Sequence, residues 1–468
     1  MSFLSIKFLI LIAILLILMK FIRKDPLVRL LLIAAGYTFY AFFDVKSLVI
    51  LIALSLFTWF GGRVIDKKRD SSSAKSSKAL CFLFVAIEIL VLCFFKYAGF
   101  FPMPVGMSFY MLQAVGFLID SYRGDLGDYP SLTDALLYMS FFPVIVSGPI
   151  QKAKDFIPKI AERKALNSER FSRGIQLFVI GAFLKLVMAD RLAVCVDAVY
   201  LTPLVYSGLT LFITSVGYTL QLLFDFAGYS DMAIGVAYLL GFDLDKNFNL
   251  PYLAADPSEF WRRWHISLST WLREYVYIPL GGNRKGKVRT YLNIFLTMII
   301  SGLWHGSTVN FLIWGGLHGL WQVIHRMLSA VTSSAGSPSA GGTNDKKEQK
   351  DKSPLSFVKH YISMIVTFLI VNFLWIPFRA ATLKDSWTIF TRIVTLKEGA
   401  GYYYTYIFIF GIILLIVQFI AGRFTGRDNP LKPLPLDKMY GRVIFCCLVI
   451  SIFMFAYFGN GAFIYSQF

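Results

Sequence analysis

The chain has 468 residues, of which 56% are hydrophobic and only 16% are charged, and its mean hydropathy is +0.62. Soluble domains are about 45–50% apolar and about 25% charged, so this composition excludes an ordinary soluble protein. The net charge of +18 comes from lysines and arginines that lie between apolar blocks. This distribution is typical of topology signals and of contacts with anionic lipids, so we expect membrane lipids as partners and no nucleic acid.

Near-continuous apolar blocks, long enough to cross about 30 Å of hydrocarbon, recur along the whole chain. Several blocks are short or contain Gly and Pro, so we expect about 10–13 helices that cross or enter the bilayer. Block 103–120 follows Pro102 and carries Asp120, which indicates a helix that enters only halfway. The candidate spans are 3–22, 28–44, 46–62, 79–100, 134–151, 172–189, 207–225, 228–241, 290–304, 308–327, 357–377, 403–420 and 441–458.

Basic stretches at 23–24, 63–78 and 152–164 predict cytoplasmic loops in a multi-pass protein of the cytoplasmic membrane, with its N-terminus outside. The first apolar block lacks a basic start and a cleavage site, so a signal peptide is not expected. Residues 332–353 are rich in Ser, Gly and Lys and predict a flexible cytoplasmic linker. The cysteines lack metal-ligand spacing, and residues 1–468 are expected to form one membrane domain without a metal.

A polar sequence interrupts the apolar pattern at 225–231, where Asp225, Gly228 and Asp231 fall within one apparent helix. Carboxylates at membrane depth need partners or a water-filled cavity, so we expect the helix to break or kink there. Two interpretations stay open. The aspartates either pair with Arg262 or Arg263 to lock helices together, or they take part directly in a cavity.

An amphipathic helix is predicted from residue 259 to about residue 275, with Ser258 as its N-cap. At 100° per residue, Trp261, Trp264 and His265 share the apolar arc, whereas the arginines point the other way. A helix lying at the membrane interface would explain the tryptophans, which favour headgroup level. It would not explain a histidine among them.

A tight turn with basic side chains follows, in the sequence Gly-Gly-Asn-Arg-Lys-Gly-Lys at 281–287. Its spacing is not that of a P-loop. Arg284, Lys285 and Lys287 either form a solvated cytoplasmic turn or hold an anionic group such as a nucleotide phosphate.

His305 follows the apolar run 297–303, between Trp304 and Gly306. Ionisable side chains are costly in hydrocarbon, so one in a spanning segment indicates a functional site. A neutral imidazole there is a natural general base for an alcohol nucleophile. The glycines beside it favour a close helix contact or a substrate passing near the backbone. The other histidines outside 260–306 are expected to be packing residues: His318, His325 and His360.

These sequences resemble the membrane-bound O-acyltransferase family, in the branch of alginate O-acetylation membrane proteins. The core of the resemblance is 141–319, and the chain end at 463–468 also matches. The motifs that carry it are Phe-Phe-Pro at 141–143, Ser-Gly-Pro at 147–149, Phe-Asp-Phe-Ala-Gly-Tyr-Ser-Asp at 224–231, Asn-Phe-Asn-Leu-Pro-Tyr at 247–252, Phe-Trp-Arg-Arg-Trp-His-Ile-Ser-Leu at 260–268, Tyr-Ile-Pro-Leu-Gly-Gly-Asn at 277–283 and Ser-Gly-Leu-Trp-His-Gly at 301–306.

The resemblance implies a ring of helices around a central tunnel that joins a cytoplasmic donor side to an external acceptor side. It implies acyl transfer from a thioester donor, with acetyl-CoA as the co-substrate. The acceptors would be hydroxyls of an exopolysaccharide such as alginate, reached through an extracytoplasmic SGNH-type partner. No cofactor is expected to be bound permanently. The family's invariant histidine falls on His305 and its partner histidine on His265. Residues expected to shape the substrate tunnel are Trp261, Trp264, Trp304, Asp225, Asp231, Asn249, Arg262 and Arg263.

Other functions compete with this one. D-alanyl transfer to teichoic acid from a carrier-protein thioester is the nearest alternative among enzymes. A polysaccharide or lipid transporter would explain the spans and the buried aspartates, but it predicts internal repeats that the sequence lacks. A structural scaffold of the envelope would not explain two histidines in such unusual contexts. The sequence does not determine the acceptor polymer, the acyl group or whether a covalent intermediate forms.

Overall fold

The computed structural model describes residues 2–22, 24–70, 74–335, 354–402 and 434–457, together with 408, 409, 411–413 and 416. Residues 336–353 of the predicted linker, most of the predicted span 403–420 and the chain end at 463–468 lie outside the described residues. Residues 332–335, which we expected to begin the linker, belong to a helix instead.

Every regular element in these ranges is helical, which confirms the predicted all-α class. Two π-helical segments, Leu184–Ala189 and Arg273–Tyr277, and a 3₁₀ turn, Pro251–Leu253, join α-helices. The α-helices are α1 Ile6–Phe21, α2 Asp25–Ala41, α3 Val45–Asp70, α4 Ala74–Tyr97, α5 Met107–Arg123, α6 Leu132–Ser140, α7 Phe142–Ile145, α8 Ala153–Ala161, α9 Ser168–Phe183, α10 Asp190–Leu201, α11 Gly208–Leu240, α12 Pro257–Arg263, α13 Ile266–Leu272, α14 Gly286–His305, α15 Val309–Ala335, α16 Pro354–Arg379, α17 Leu383–Val394 and α18 Met439–Phe455.

Four helical segments of the described chain are long and apolar enough to cross a membrane: Val45–Asp70, Lys75–Tyr97, Gly208–Leu240 and Val358–Arg379. The segment in α4 exposes large apolar side chains, including Phe82 at 76% and Leu90 at 67%. A long helix with such a surface is suited to contact lipid chains rather than water. The larger total of about 10–13 crossing or entering helices stays a prediction.

The chain divides into two compact units, of which the first contains residues 1–191, 221–247 and 431–468. Its core is aromatic. The ring centroids of Phe141 and Phe156 lie 4.9 Å apart, and Phe156 stacks on Phe242 at 5.5 Å. The second unit contains residues 192–220 and 248–430, and both predicted catalytic histidines belong to it.

Helix α11 corrects the expectation of a break at Asp225 to Asp231, because it is helical from Gly208 to Leu240 without interruption. The Asp225 carboxylate is satisfied from outside the helix, by an ion pair with the Lys185 ammonium. Gly228 lets another backbone approach, since a Cβ there would lie 2.7 Å from the Gly181 carbonyl oxygen. An ion pair at Asp225 and a close backbone contact at Gly228 therefore occur where we expected the helix to break.

Helices α14 and α15 pack at very short range in the second unit. A Cβ on Gly302 would lie 2.3 Å from the carbonyl oxygen of Phe311, and one on Gly315 would lie 2.4 Å from that of Met298. The close helix contact predicted for the glycines beside His305 is present at Gly302. This contact fixes the end of α14, where the histidine stands.

Candidate active site

His305 is the last residue of α14, where Gly306 leaves the helix in an extended conformation. Its side chain is only 2% exposed. Aromatic rings surround it: the centroids of Trp304, Trp314 and Phe378 lie 4.8, 5.0 and 5.2 Å from that of the imidazole. Tertiary packing and the helix end thus hold the imidazole in one place.

His265 lies between α12 and α13 with a left-handed backbone, φ 41° and ψ 57°. This corrects the prediction of one continuous helix from 259 to about 275, because the chain breaks at Trp264 and His265. A non-glycine residue in that conformation costs about 1–3 kcal/mol, which persists only when the surroundings determine it. The side chain is fully buried. Strain of this kind concentrates at functional sites.

The N-cap of α12 is Asp256, not the predicted Ser258. The amide of Glu259 donates a 2.8 Å hydrogen bond to Asp256 Oδ1. Pro257 occupies the first helical position, where a missing N–H costs nothing. An aspartate followed by a proline is therefore the stronger start signal, and the helix begins at Pro257, two residues before the predicted start at residue 259.

The two predicted catalytic histidines meet the same indole. Trp304 contacts His265 edge-on, with ring centroids 6.2 Å apart, and contacts His305 at 4.8 Å. The histidines are 40 residues apart in sequence. The structure therefore brings His265 and His305 into one aromatic cluster.

Burial lowers the pKa of His265 to about 3, from an ordinary value of 6.5. Removal of the ring from water disfavours its charged form, and this outweighs the opposing effect of a backbone hydrogen bond. The side chain is neutral at physiological pH. A neutral imidazole has one N–H donor and one acceptor nitrogen, so it can orient a hydroxyl or donate to an oxyanion.

Trp264 belongs to the protein core, whereas Trp261 is half-buried. Trp264 is 1% exposed, stacks on Phe260 and contacts Trp375 at 5.0 Å. Trp261 meets the ring of His318 at 5.1 Å. These contacts do not support tryptophans at headgroup level.

Arg263 and Asn249 hold the turn before α12 in place. The Arg263 guanidinium forms an ion pair with Glu259 at 2.6 Å and donates to the Asn249 carbonyl oxygen at 3.3 Å. The Asn249 amide donates to the Arg263 carbonyl oxygen at 2.9 Å. Of the two interpretations left open, pairing with Arg262 or Arg263 is therefore wrong for Asp225, since Asp225 pairs with Lys185. Within the described chain, neither Arg262 nor Asp231 forms an ion pair.

The basic turn after α13 has the tight geometry that its sequence predicts. Gly281 and Gly282 have φ of 114° and 52°, values that favour glycine. Arg284 and Lys285 line a cavity at this turn, whereas Lys287 is not among its lining residues.

Sequence reasoning missed two aromatic neighbours of His305. Trp314 and Phe378 contact the imidazole, and Trp375 packs against both of them. Nothing in their local sequence distinguishes these residues from ordinary apolar positions. His318 is buried against Trp314 at 4.9 Å. The expected packing role of His318 fits this position.

Comparison with known proteins gives the family. The model of the membrane-bound O-acyltransferase family matches residues 29–340, which include both histidines. The chain is 35% identical over 384 residues to a probable alginate O-acetylase of Pseudomonas aeruginosa, covering 77% of this chain and 69% of that protein. It is 32% identical over 419 residues to a peptidoglycan O-acetyltransferase of Helicobacter pylori, covering 80% and 75%.

A teichoic acid D-alanyltransferase of Bacillus subtilis is 30% identical over 229 residues, which is 46% of this chain and 57% of that protein. The match to this relative is therefore shorter than the matches to the two acetylating ones. The family model, the extent of these likenesses and the all-helical fold agree: the chain belongs to the membrane-bound O-acyltransferase family and is a multi-pass membrane O-acyltransferase.

Proposed function

We propose that this enzyme transfers an acetyl group from acetyl-CoA towards hydroxyls of a cell-surface polysaccharide. The observation that carries the proposal is the pairing of two buried imidazoles, His265 and His305, on the indole of Trp304. The names of the relatives in Pseudomonas aeruginosa and Helicobacter pylori support acetyl as the acyl group.

His305 acts as general base in this scheme. The acceptor oxygen attacks the thioester carbonyl while the imidazole takes the hydroxyl proton, so that a C–O bond forms. The tetrahedral intermediate then collapses, the C–S bond breaks, and the imidazolium returns the proton to the leaving thiolate. Products are the ester and the free thiol. General-base help of this kind contributes about 10²–10⁴ in rate.

His265 serves the oxyanion or the acceptor hydroxyl through hydrogen bonding. Its full burial supports this role, because a neutral ring can donate from one of its nitrogens and carries no charge that would repel the protonated His305. The left-handed backbone gives the ring a fixed direction, and preorganised donors cost no rearrangement during the reaction. We assign the shaping of the substrate path to Trp261, Trp264, Trp304, Asp225, Asp231, Asn249, Arg262 and Arg263.

The positive charges of the basic turn attract the anionic donor in this scheme. Arg284, Lys285 and Lys287 are exposed side chains at the start of α14, and we propose that this turn is cytoplasmic, in keeping with the positive charge expected of cytoplasmic loops. Acetyl-CoA carries phosphates and is made in the cytoplasm, so we propose contact there. The acceptor side is then external, where an SGNH-type partner would pass the acetyl group to the polymer. The protein would lie in the cytoplasmic membrane with its N-terminus outside.

Ester-linked acetate on cell-surface polysaccharide tests the proposal. Cells would carry the wild-type chain, His305→Ala, His360→Ala or no copy, with membrane levels of each chain checked by immunoblot. His360 is an exposed histidine and provides the matched control. We expect acetate to be lost equally with His305→Ala and with no copy, and retained with His360→Ala.

Unchanged acetate in cells without the chain would overturn acetyl transfer. Ester-linked D-alanine measured on the same samples would then test transfer to teichoic acid, which the shorter match to the Bacillus subtilis relative suggests.

A further inference from the structure

Helix α17, which follows α16 in the second unit, carries apolar side chains on two different faces. Ile389 and Ile393 are buried against the rest of the protein. A second apolar set is exposed, at 47, 66, 40 and 61% in chain order: Leu383, Trp387, Phe390 and Val394. Contiguous apolar surface of this kind marks a contact with another molecule or with a membrane.

The side chains of α17 fall into three sectors around the helix axis. At 100° per residue, the four exposed apolar positions lie within about 60° of one another, next to the buried isoleucines. The remaining sector is polar and contains Lys384, Thr388 and Arg392. A helix with one face on protein, one apolar face open and one polar face is suited to lie flat at a membrane surface, between hydrocarbon and water.

The level of α17 relative to α16 supports such a position. The segment Val358–Arg379 of α16 is long and apolar enough to cross a membrane, and α17 begins within about 14 Å of its end, at Leu383. The ring of Phe390 meets that of Phe373 at 5.9 Å. Phe373 precedes the end of α16 by about 9 Å along the axis. Helix α17 therefore turns back to the level of the last turns of α16 instead of extending away from them.

The chain after α17 is fixed by backbone hydrogen bonds to the connection between α10 and α11. The Ala400 amide donates to the Val205 carbonyl oxygen at 2.9 Å, and the Gly208 amide donates to that of Lys397 at 2.8 Å. These bonds hold both connections in one rigid arrangement. Its exposed apolar side chains, at 68, 55, 61 and 74%, are Leu204, Val205, Leu209 and Leu396.

We propose that α17 lies in the plane of the membrane interface at the end of α16, with its exposed apolar face in contact with lipid. Trp387 stacks on Phe390 in this face, and tryptophan favours the headgroup level of a bilayer. Residues 383–398 contain three basic and two acidic side chains, so their charges nearly cancel. Contact with lipid therefore depends on apolar burial, and a neutral phospholipid is sufficient.

The same end of the second unit contains His305. Asn310, in the first turn of α15, donates from Nδ2 to the Ala380 carbonyl oxygen at 2.8 Å, directly after the end of α16. His305 ends α14 five residues before Asn310. An α17 anchored in the interface would set the depth in the membrane at which α14 ends. This placement of α17 does not depend on the proposed acyl transfer.

Fluorescence quenching tests the contact in the purified full chain, without any partner protein. The nanodiscs contain phosphatidylcholine brominated either near the headgroup end or near the terminal end of its acyl chains. The Trp387 signal is the difference between the wild-type chain and Trp387→Phe. We expect bromine near the headgroup to quench this signal more than bromine near the chain ends, and acrylamide in the water to quench it weakly.

The control is Trp375→Phe, because Trp375 is fully buried and its signal should respond to neither quencher. Strong quenching of Trp387 by acrylamide, without quenching by either lipid, would overturn the proposal and leave this face for a protein partner. Equal or stronger quenching by bromine near the chain ends would also overturn it, since α17 would then lie below the interface.

A matched pair of double variants tests which face enters the lipid. Leu383→Asp with Val394→Asp adds carboxylates to the exposed apolar face, where contact with hydrocarbon is costly for a charge. Lys384→Asp with Thr391→Asp adds them in the same two turns of the polar sector. We expect the first double variant to lose most of the lipid quenching of Trp387 and the second to keep it, with folding checked by circular dichroism. Equal lipid quenching in the two would overturn the assigned face.

Discussion

The imidazole of His265 meets the indole of Trp304 edge to face, with ring centroids 6.2 Å apart. The indole belongs to the residue immediately before His305. A substitution at His265 can therefore affect the proposed base through one shared contact, the Trp304 side chain. This relationship makes the two histidines separable by experiment, because one is proposed to move a proton and the other to donate a hydrogen bond.

Replacing His305 by Gln should reduce acyl transfer about 10²–10⁴-fold, since the amide keeps hydrogen bonding but cannot act as a base. The measurement is transfer of labelled acetyl by membranes that contain equal amounts of each chain. Full activity in His305→Gln would show that hydrogen bonding, not proton transfer, is the role of this residue. His325→Gln, a partly exposed change on α15, is the control.

Acid should weaken the fold through His265. Its pKa is about 3 in the folded chain, against an ordinary 6.5, so between these values the unfolded chain binds more protons. Stability therefore rises with pH across this window and is lost as pH falls, by up to about 1.4 kcal/mol per pH unit from this group. His265→Gln lacks this contribution.

The check is the thermal unfolding midpoint in detergent at pH 4.5, 5.5 and 6.5. The difference between wild type and His265→Gln should change steadily along this series. Identical pH dependence in the two chains would contradict the shifted pKa of His265.

His318→Leu should leave stability unchanged or increase it. The imidazole is buried, and neither of its nitrogens has a hydrogen-bond partner among the described residues. A buried polar group in that state costs about 1–3 kcal/mol, which leucine avoids. The thermal midpoint measures this effect, and an acyl-transfer assay accompanies it. Loss of transfer with an unchanged midpoint would show that His318 takes part in the reaction.

Lys185 should be essential to the first unit. Its ammonium pairs with Asp225 and, at 2.7 Å, with Asp190. Lys185→Met leaves two carboxylates buried without a cation and should cost about 3–5 kcal/mol. Adding Asp225→Asn should recover part of that loss. The exposed pair of Arg173 and Glu169 supplies the control, since Arg173→Met should cost less than about 1 kcal/mol.

Gly302→Ala should lower the thermal midpoint by several degrees, because its Cβ would lie 2.3 Å from the Phe311 carbonyl oxygen and force α14 from α15. Gly316→Ala is the matched control on the facing helix. Its Cβ would meet Ile299 Cδ1 at an ordinary 3.5 Å, and alanine favours a helix over glycine. Equal effects of the two changes would contradict the close crossing at Gly302.

Much of this architecture could be predicted from local sequence. Apolar blocks gave the all-helical class, and the motifs around His265 and His305 gave the family, which the family model confirms. The positions at which helices break were harder to predict. Asp225 looked like a helix breaker because its partner, Lys185, is 40 residues away and invisible to a local pattern.

The opposite error occurred at His265. Its apolar neighbours suit a continuous helix, and the local pattern gives no sign of the left-handed backbone that ends α12 there. The catalytic roles of both histidines stay predictions. Trp314 and Trp375 were missed because a tryptophan within an apolar run carries no local sign of the ring it will touch.

The left-handed backbone at position 265 has a consequence for how this protein can vary over evolution. Few residue types accept that conformation, and β-branched or bulky ones are genuine outliers there. Asparagine accepts it readily and keeps both a donor and an acceptor, whereas glycine accepts it but has no side chain. Substitutions of His265 during evolution should therefore favour asparagine and exclude valine, isoleucine and threonine. A collection of homologous chains would show that restriction even if every neighbouring tryptophan had been exchanged.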